Sequence, residues 1–359
     1  MTSLSVKTRS PGRVIRPPGK GGALSESLAT RLNKPASFPR TNAFRIASST
    51  IGIGGHRQPR PAGAQPYKPT ELRGRIEEIW IANESMSVTQ SEKAARFRAL
   101  HDAPGVFVIP NPWDIGSARI LSGLGFQALA TSSAASASAR GRRDGGLTRD
   151  EALAHARLIV DATDLPTSAD LEKGFGDAPE VVAETIRLAA EAGLVGCTIE
   201  DATGNQESPL YDVRLAGERI AAAAQAAHAL PFPFILTARA HGFLYSAPSL
   251  DDTISRLQAF EQAGADVLFA PGLPDLAAVS AVCAAVSKPV NFMAGIKGKS
   301  FSVSELAAAG VRRISLATSL YRAAMTGLLD AASEVKDKGQ FGFLERCVIT
   351  AELNKLMRI

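Results

Sequence analysis

Cysteine is scarce in this sequence, and the three present are scattered. Cys197, Cys283 and Cys347 show neither disulfide nor metal spacing. That excludes a disulfide-stapled secreted domain and fits a reducing, cytoplasmic compartment. Each reads as a small buried hydrophobe. No run of about 18 apolar residues occurs, so no membrane-spanning helix is expected. Acidic residues are few in one region only. Residues 1–85 hold 14 Lys and Arg against 5 Asp and Glu, whereas the remainder holds 26 against 30. The formal net charge of +5 is therefore a property of one end. The rest is mildly acidic, which excludes a nucleic-acid-binding face on the folded part.

Residues 1–85 also carry 9 of the 21 prolines and no sustained period of 3.6 or 2. Segments such as Pro59-Arg60-Pro61-Ala62-Gly63 cannot continue a helix or a central strand. This stretch is expected to be a disordered basic extension. Its Arg and Ser content loosely suggests a transit peptide. Met86, just ahead of a helix expected over Gln90 to His101, offers a simpler start.

From Gly105 onward, short apolar runs alternate with longer amphipathic ones. Eight strands are expected: 106–110, 127–131, 167–172, 196–201, 234–240, 266–271, 289–294 and 313–317. Helices are expected near 114–123, 149–163, 178–192, 212–229, 250–263, 275–286, 302–309 and 319–337. Such alternation implies a parallel sheet. Eight units in about 240 residues have the size of a closed (β/α)8 TIM barrel. Gly125, Gly193, Gly264 and Gly310 each follow a helix and precede a strand, as left-handed helix caps do. No Gly-x-Gly-x-x-Gly follows the first strand, which disfavours a dinucleotide-binding open sheet. The expected organisation is an extension at 1–85, a barrel at 86–340 and a helical tail at 341–359.

A parallel barrel places its chemistry at the carboxyl ends of its strands. Strand three ends in Asp170-Leu171-Glu172, strand four in Thr198-Ile199-Glu200-Asp201 and strand five in Thr237-Ala238-Arg239. By strand alternation Asp170 and Glu172 share a face, as do Thr198 and Glu200, and Thr237 and Arg239. If these faces point inward, three carboxylates converge with no lysine nearby. Like charges that close repel unless a cation intervenes. A hard divalent ion such as Mg2+, with Mn2+ as a substitute, answers that need through oxygen ligands and water. Arg239 can grip a substrate carboxylate or phosphonate bidentately. Alternation turns Cys197 the other way, towards the helices. After strand two, Thr131-Ser132-Ser133 can bring backbone N–H groups close to an anion, and Asp144 follows in a glycine-flanked loop. Gly295-Ile296-Lys297-Gly298-Lys299, after strand seven, allows a rival reading as a phosphate site.

These residues resemble the isocitrate lyase and phosphoenolpyruvate mutase superfamily over 105 to about 335. Asp170-Leu171-Glu172-Lys173-Gly174-Phe175-Gly176 resembles its Asp-Ala-Asp-Thr-Gly-Tyr-Gly, Ile199-Glu200-Asp201 its Leu-Glu-Asp, and Ala238-Arg239 its Ala-Arg strand end. The resemblance implies that Asp170, Glu172 and Glu200 surround Mg2+, partly through water, and that Asp144 supports that shell. It places Thr131, Ser132, Ser133 and Arg239 at the substrate, and names Arg239, Asp144 and Glu200 as catalytic. It implies C–C bond cleavage of a small 2-oxo or 2-hydroxy carboxylate through an enolate, and a homo-oligomer, a tetramer by resemblance. P–C mutase or hydrolase chemistry and a catalytically inactive metabolite-binding barrel are the alternatives. One departure stands out. The Lys-Arg-Cys-Gly-His loop of isocitrate and methylisocitrate lyases is replaced here by residues 202–211, without cysteine, lysine or histidine. That loop is expected to act as a lid, with Tyr211 or His241 as spare proton donors.

Overall fold

The computed structural model describes residues 88–245 and 249–357. The extension expected at 1–85 lies outside the described residues. Eight parallel strands form one sheet: β1 (Phe107–Ile109), β2 (Leu129–Ala130), β3 (Thr167–Asp170), β4 (Gly196–Glu200), β5 (Ile235–Arg239), β6 (Val267–Phe269), β7 (Val290–Met293) and β8 (Arg313–Ser315). Each falls inside the stretch expected for it. Their order is β1-β8-β7-β6-β5-β4-β3-β2. Between β1 and β2 the wall is bridged by one backbone bond, Ala130 N–H to Pro110 O at 3.0 Å. The eight strands thus make a nearly closed TIM barrel.

The helices sit where the apolar periods lie, and local chemistry fixes their ends. Thr148 and Glu151 form a capping box that starts the helix Arg149–Val160. Pro179, whose missing N–H costs nothing there, opens Pro179–Glu191. The four glycines ahead of strands all take positive φ, 84° to 98° (Gly125, Gly193, Gly264, Gly310). A Cβ at Gly310 would also stand 2.9 Å from that of Cys283. A short helix over Ser133–Ala139 was not foreseen; the serine-rich stretch after β2 is its start rather than an irregular turn.

Three apolar clusters hold the barrel, the third a small one of Ala118, Leu121, Leu129, Ile159 and Ala162 beside β2. The largest lies between strands and outer helices and contains Cys197, Ile199, Leu236, Leu268, Val182 and Ile186. Cys197 thus faces the helices, as alternation required. The second plugs the amino-terminal end of the barrel. Helix α1 (Gln90–Asp102) lays Phe97 and Ala94 against Phe107, Val195, Ile235 and Val267. Gly196 lets this plug approach, since a Cβ there would stand 3.0 Å from the Phe97 ring. With that end sealed, the cavity opens at the carboxyl ends of the strands.

Candidate active site

Parallel register sets the rim. Asp170 lies beside Thr198, and Glu200 beside Arg239. Neighbours in a parallel ladder project to the same face, so Asp170, Thr198, Glu200 and Arg239 surround one opening. Asp170, Thr198 and Arg239 line a cavity of about 470 Å3, its open mouth included.

Asp170 is held from several sides. Its backbone N–H donates to Thr131 Oγ1 at 3.2 Å. Its carboxylate accepts from the Ser133 hydroxyl at 3.1 Å and from the Ser133 N–H at 3.4 Å. The same hydroxyl lies 2.9 Å from Asp144 Oδ1, so one serine ties the exposed Asp144 to the partly buried Asp170. Ser132 caps the helix Ser133–Ala139 by accepting from Ala135 N–H. Thr131 and Ser132 both line the cavity. The Ser133 amide expected to meet a substrate anion is turned instead to Asp170, which takes the anion position at that helix start.

Strand alternation does not place Glu172. β3 ends at Asp170, and Glu172 lies beyond it with φ of 51°, in the left-handed region. It approaches Asp170 through its backbone, with Glu172 N–H donating to Asp170 Oδ1 at 3.2 Å. Its carboxylate leans towards the loop that carries Asp144: a Cβ at Gly145 would stand 3.9 Å from Glu172 Oε2.

Arg239 stands between the acids, 3.3 Å from Glu200 and 3.8 Å from Asp170. His241 Nδ1 is 3.1 Å from the same Glu200 oxygen. Burial alone would raise the Glu200 pKa, but Arg239 and His241 together bring it below the ordinary carboxylate value. Asp170 goes the other way: burial raises it, and Arg239 only partly opposes this. Glu172 rises to about 7, first through burial and then through Asp170, Asp144 and Glu200. One arginine therefore does not balance the negative charge here.

The sequence reading brought three carboxylates together as a ligand set. Among the described residues, no three His, Cys, Asp or Glu side chains converge closely enough to grip an ion directly. The reason is Arg239, whose guanidinium occupies the gap between Asp170 and Glu200. What remains suits Mg2+, which keeps several waters and takes one or two carboxylates. The surplus charge on Asp170 and Glu172 and the exposed Asp144 beside them fit such an ion.

The 202–211 loop is a zipped hairpin. Ala202 bridges Leu210, Thr203 N–H donates to Pro209 O at 2.9 Å, and Tyr211 N–H donates to Asp201 O at 2.9 Å. Tyr211 is committed elsewhere, its hydroxyl donating to Asp177 at 2.5 Å while Arg219 stacks on its ring at 4.1 Å. The phosphate reading after β7 has no cradle: Lys299 Nζ donates to Gly272 O, and Arg322 to Gly295 O.

Sequence reasoning missed the lower wall of the cavity: Asn111, Asn291, Met293, Arg313 and Ser315. Alternation would have shown it, because Asn291/Met293 and Arg313/Ser315 are two-residue steps with polar members inside otherwise apolar strands.

Residues 97–336 match the family model described as phosphoenolpyruvate phosphomutase. The 2-methylisocitrate lyase of Bacillus subtilis (strain 168) is 34% identical over 204 residues, 54% of this chain and 64% of that protein. The chain thus spans just under two thirds of that relative's length. A solved structure from Burkholderia cenocepacia J2315, described as a lyase/mutase, is 53% identical with a TM-score of 0.73, covering 74% of this chain and 96% of that one. The structure of 2,3-dimethylmalate lyase is 27% identical with a TM-score of 0.67, covering 76% and 96%.

Proposed function

The chain belongs to the phosphoenolpyruvate phosphomutase family, within the isocitrate lyase and phosphoenolpyruvate mutase superfamily, and from that premise we propose that it is a Mg2+-dependent lyase that cleaves a C–C bond of a small 2-oxo or 2-hydroxy carboxylate through an enolate. It is an enzyme of the lyase and mutase type that its relatives form. The observation that supports the finer reading is the geometry of the rim: Asp170, Glu200 and the Ser133-linked Asp144 meet around a single arginine, Arg239, 3.8 Å from Asp170 and 3.3 Å from Glu200.

In this reading Asp170, Glu172 and Glu200 would surround Mg2+, with Mn2+ as a substitute, in large part through water rather than by direct contact from all three. Bound there, the ion supplies positive charge to the oxo or hydroxy oxygen of the substrate. Arg239 neutralises a substrate carboxylate from within the cavity wall. Its Nε, buried and without a hydrogen-bond partner, is free to donate. Asp144 steadies Asp170 through the Ser133 hydroxyl. Glu200 pairs with Arg239 at 3.3 Å, and His241 Nδ1 lies 3.1 Å from the same carboxylate without hydrogen-bonding geometry. Thr131 and Ser132 complete the substrate wall.

The loop residues 202–211 bring no thiol, lysine or imidazole to this site, so isocitrate and methylisocitrate are not the substrates proposed. The protein works in the cytoplasm as a homo-oligomer. The three free cysteines suit a reducing compartment. Helix α10 (Ser319–Lys338) has no buried residue and exposes Leu328 and Leu329, followed by exposed Phe341 and Ile349. Such apolar surface calls for a second copy. Calorimetric titration of Mg2+ in the presence and absence of oxalate tests the site. Mg2+-dependent oxalate binding, lost in Asp170→Ala, is expected; equal binding in both proteins would refute it.

A further inference from the structure

Beneath the rim, one row of the sheet continues down the barrel wall. The register pairs Glu200 with Arg239, Arg239 with Phe269, Phe269 with Asn291, Asn291 with Arg313, and Arg313 with Phe107. Strands of a closed barrel tilt against its axis, so a row perpendicular to them changes height. This one begins at the last residue of β4 and ends at the first residues of β8 and β1. It therefore runs from the mouth to the floor, where the α1 plug closes the barrel.

Arg313 sits at the lower end of that row, 4% exposed. All three guanidinium nitrogens are engaged by neutral groups. Nε donates to Asn291 Oδ1 at 2.8 Å, one terminal nitrogen donates to Thr237 Oγ1 at 2.8 Å, and the other lies 3.2 Å from His101 Nε2. His101 Nδ1 lies 2.8 Å from Phe97 O, an acceptor only, so its proton is on Nδ1 and Nε2 is left to accept from the arginine. His101 stays neutral, since burial and then Arg313 hold its pKa near 3. Among the described residues no carboxylate lies within ion-pair distance of Arg313, and burial alone lowers its pKa to about 9. A buried charge without a counter-charge is costly.

The same hydrogen bond fixes Asn291. With Oδ1 committed downward to Arg313, its Nδ2 is buried and has no hydrogen-bond partner, although Asn291 is 2% exposed and lines the cavity. Ser315, one step above Arg313 on β8, lines the same floor beside Asn111, its hydroxyl 3.3 Å from Asn111 Oδ1. The Ser315 hydroxyl is spent on Asn111 and on the Ala317 N–H, so the floor offers an unpaired amide donor and an uncompensated cation, but no acid. An unpaired buried donor is expensive unless a ligand satisfies it.

We propose that Asn291 and the Arg313 charge below it form a carboxylate subsite on the cavity floor, so that a dicarboxylate substrate places one carboxylate at the rim and directs the other down the barrel. This rests on the reading of the cavity as the active site. Arg313 acts as a positioning residue: it aims the Asn291 amide upward and supplies the field, and Asn291 makes the contact.

The test measures binding of two dianions to the intact protein with Mg2+, by calorimetry. Oxalate is short and is held at the rim. 3,3-Difluorooxaloacetate carries its second carboxylate two carbons further on and reaches the floor. Asn291→Asp keeps the side-chain shape, removes the donor and places a carboxylate against Arg313, so folding is retained. The expected result is at least about a tenfold loss of difluorooxaloacetate affinity with oxalate affinity held within about threefold, the scale of one charge-assisted hydrogen bond. Asn291→Ser, which withdraws the donor without adding charge, should show the same selectivity to a smaller degree. Equal losses for both dianions, or none for either, would overturn the floor subsite while leaving the active-site reading intact. Failure of the wild-type protein to bind either dianion with Mg2+ would bring down both.

Discussion

In the proposed site, the raised Glu172 carboxyl couples Mg2+ binding to proton release. Glu172 is raised from 4.5 to about 7 by burial, Asp170, Asp144 and Glu200 in that order. At pH 6 a group titrating at about 7 is roughly nine-tenths protonated, and at pH 8 roughly one-tenth. A cation that needs its carboxylate must therefore displace about 0.9 proton at pH 6 and about 0.1 at pH 8, and apparent Mg2+ affinity should rise about tenfold between them. Titration calorimetry in two buffers of different ionisation enthalpy reads the released protons directly. The stability sign follows from the same shift. The fold disfavours the Glu172 carboxylate, so the metal-free protein loses stability from this group as pH rises from about 4.5 through 7, and Mg2+ restores it. The melting-temperature difference between metal-loaded and metal-free protein should widen from pH 6 to pH 8. Glu172→Gln should abolish most of the proton release and flatten that difference. Proton release at pH 6 that is the same in wild type and Glu172→Gln, or absent in both, would refute the reasoning.

Further outcomes are expected elsewhere in the molecule. Phe97→Ala opens a void under the barrel floor and should cost about 3–5 kcal/mol in urea denaturation, since the ring is fully buried against four strands; a cost below about 1 kcal/mol would mean that the plug is not packed as described. Thiol reagents should leave turnover intact, and so should Cys197→Ser, because Cys197 is fully buried behind β4 with its thiol pKa raised by burial; inactivation that tracks modification of Cys197 would contradict this. Leu328→Glu with Leu329→Glu, both on the exposed face of α10, should lower the mass measured by light scattering; an unchanged oligomer would show that another surface assembles it.

The fold was legible because the sequence repeats one physical unit. Apolar runs alternate with amphipathic segments, four of which end in a glycine ahead of the next strand, and every strand fell within its expected window. Strand ends were drawn too long, since the last residues of each window bend into loops. That error mattered at Glu172: extending β3 by two residues gave it the face of Asp170, whereas the chain there turns into the left-handed region. The Ser132–Ser133 stretch was noticed for its small residues. That it starts a helix and turns an amide onto Asp170 depends on packing against β3, which no local pattern encodes. Arg239 was read as a substrate grip, but its second role, dividing Asp170 from Glu200, required the β4–β5 register. The floor was overlooked because a buried arginine and asparagine look like surface residues until strand alternation is followed inward on β7 and β8.

The activity proposed for the Asp170–Glu200–Arg239 rim is Mg2+-dependent cleavage of a C–C bond. The most direct measurement is a screen of 2-oxo and 2-hydroxy di- and tricarboxylates for release of pyruvate or glyoxylate, with Mg2+ and with chelator, in wild type and Asp170→Ala. Turnover of at least one dicarboxylate is expected, lost on chelation and in the variant, with no appreciable cleavage of isocitrate. Turnover that survives chelation, or robust isocitrate cleavage without a loop thiol, would contradict it.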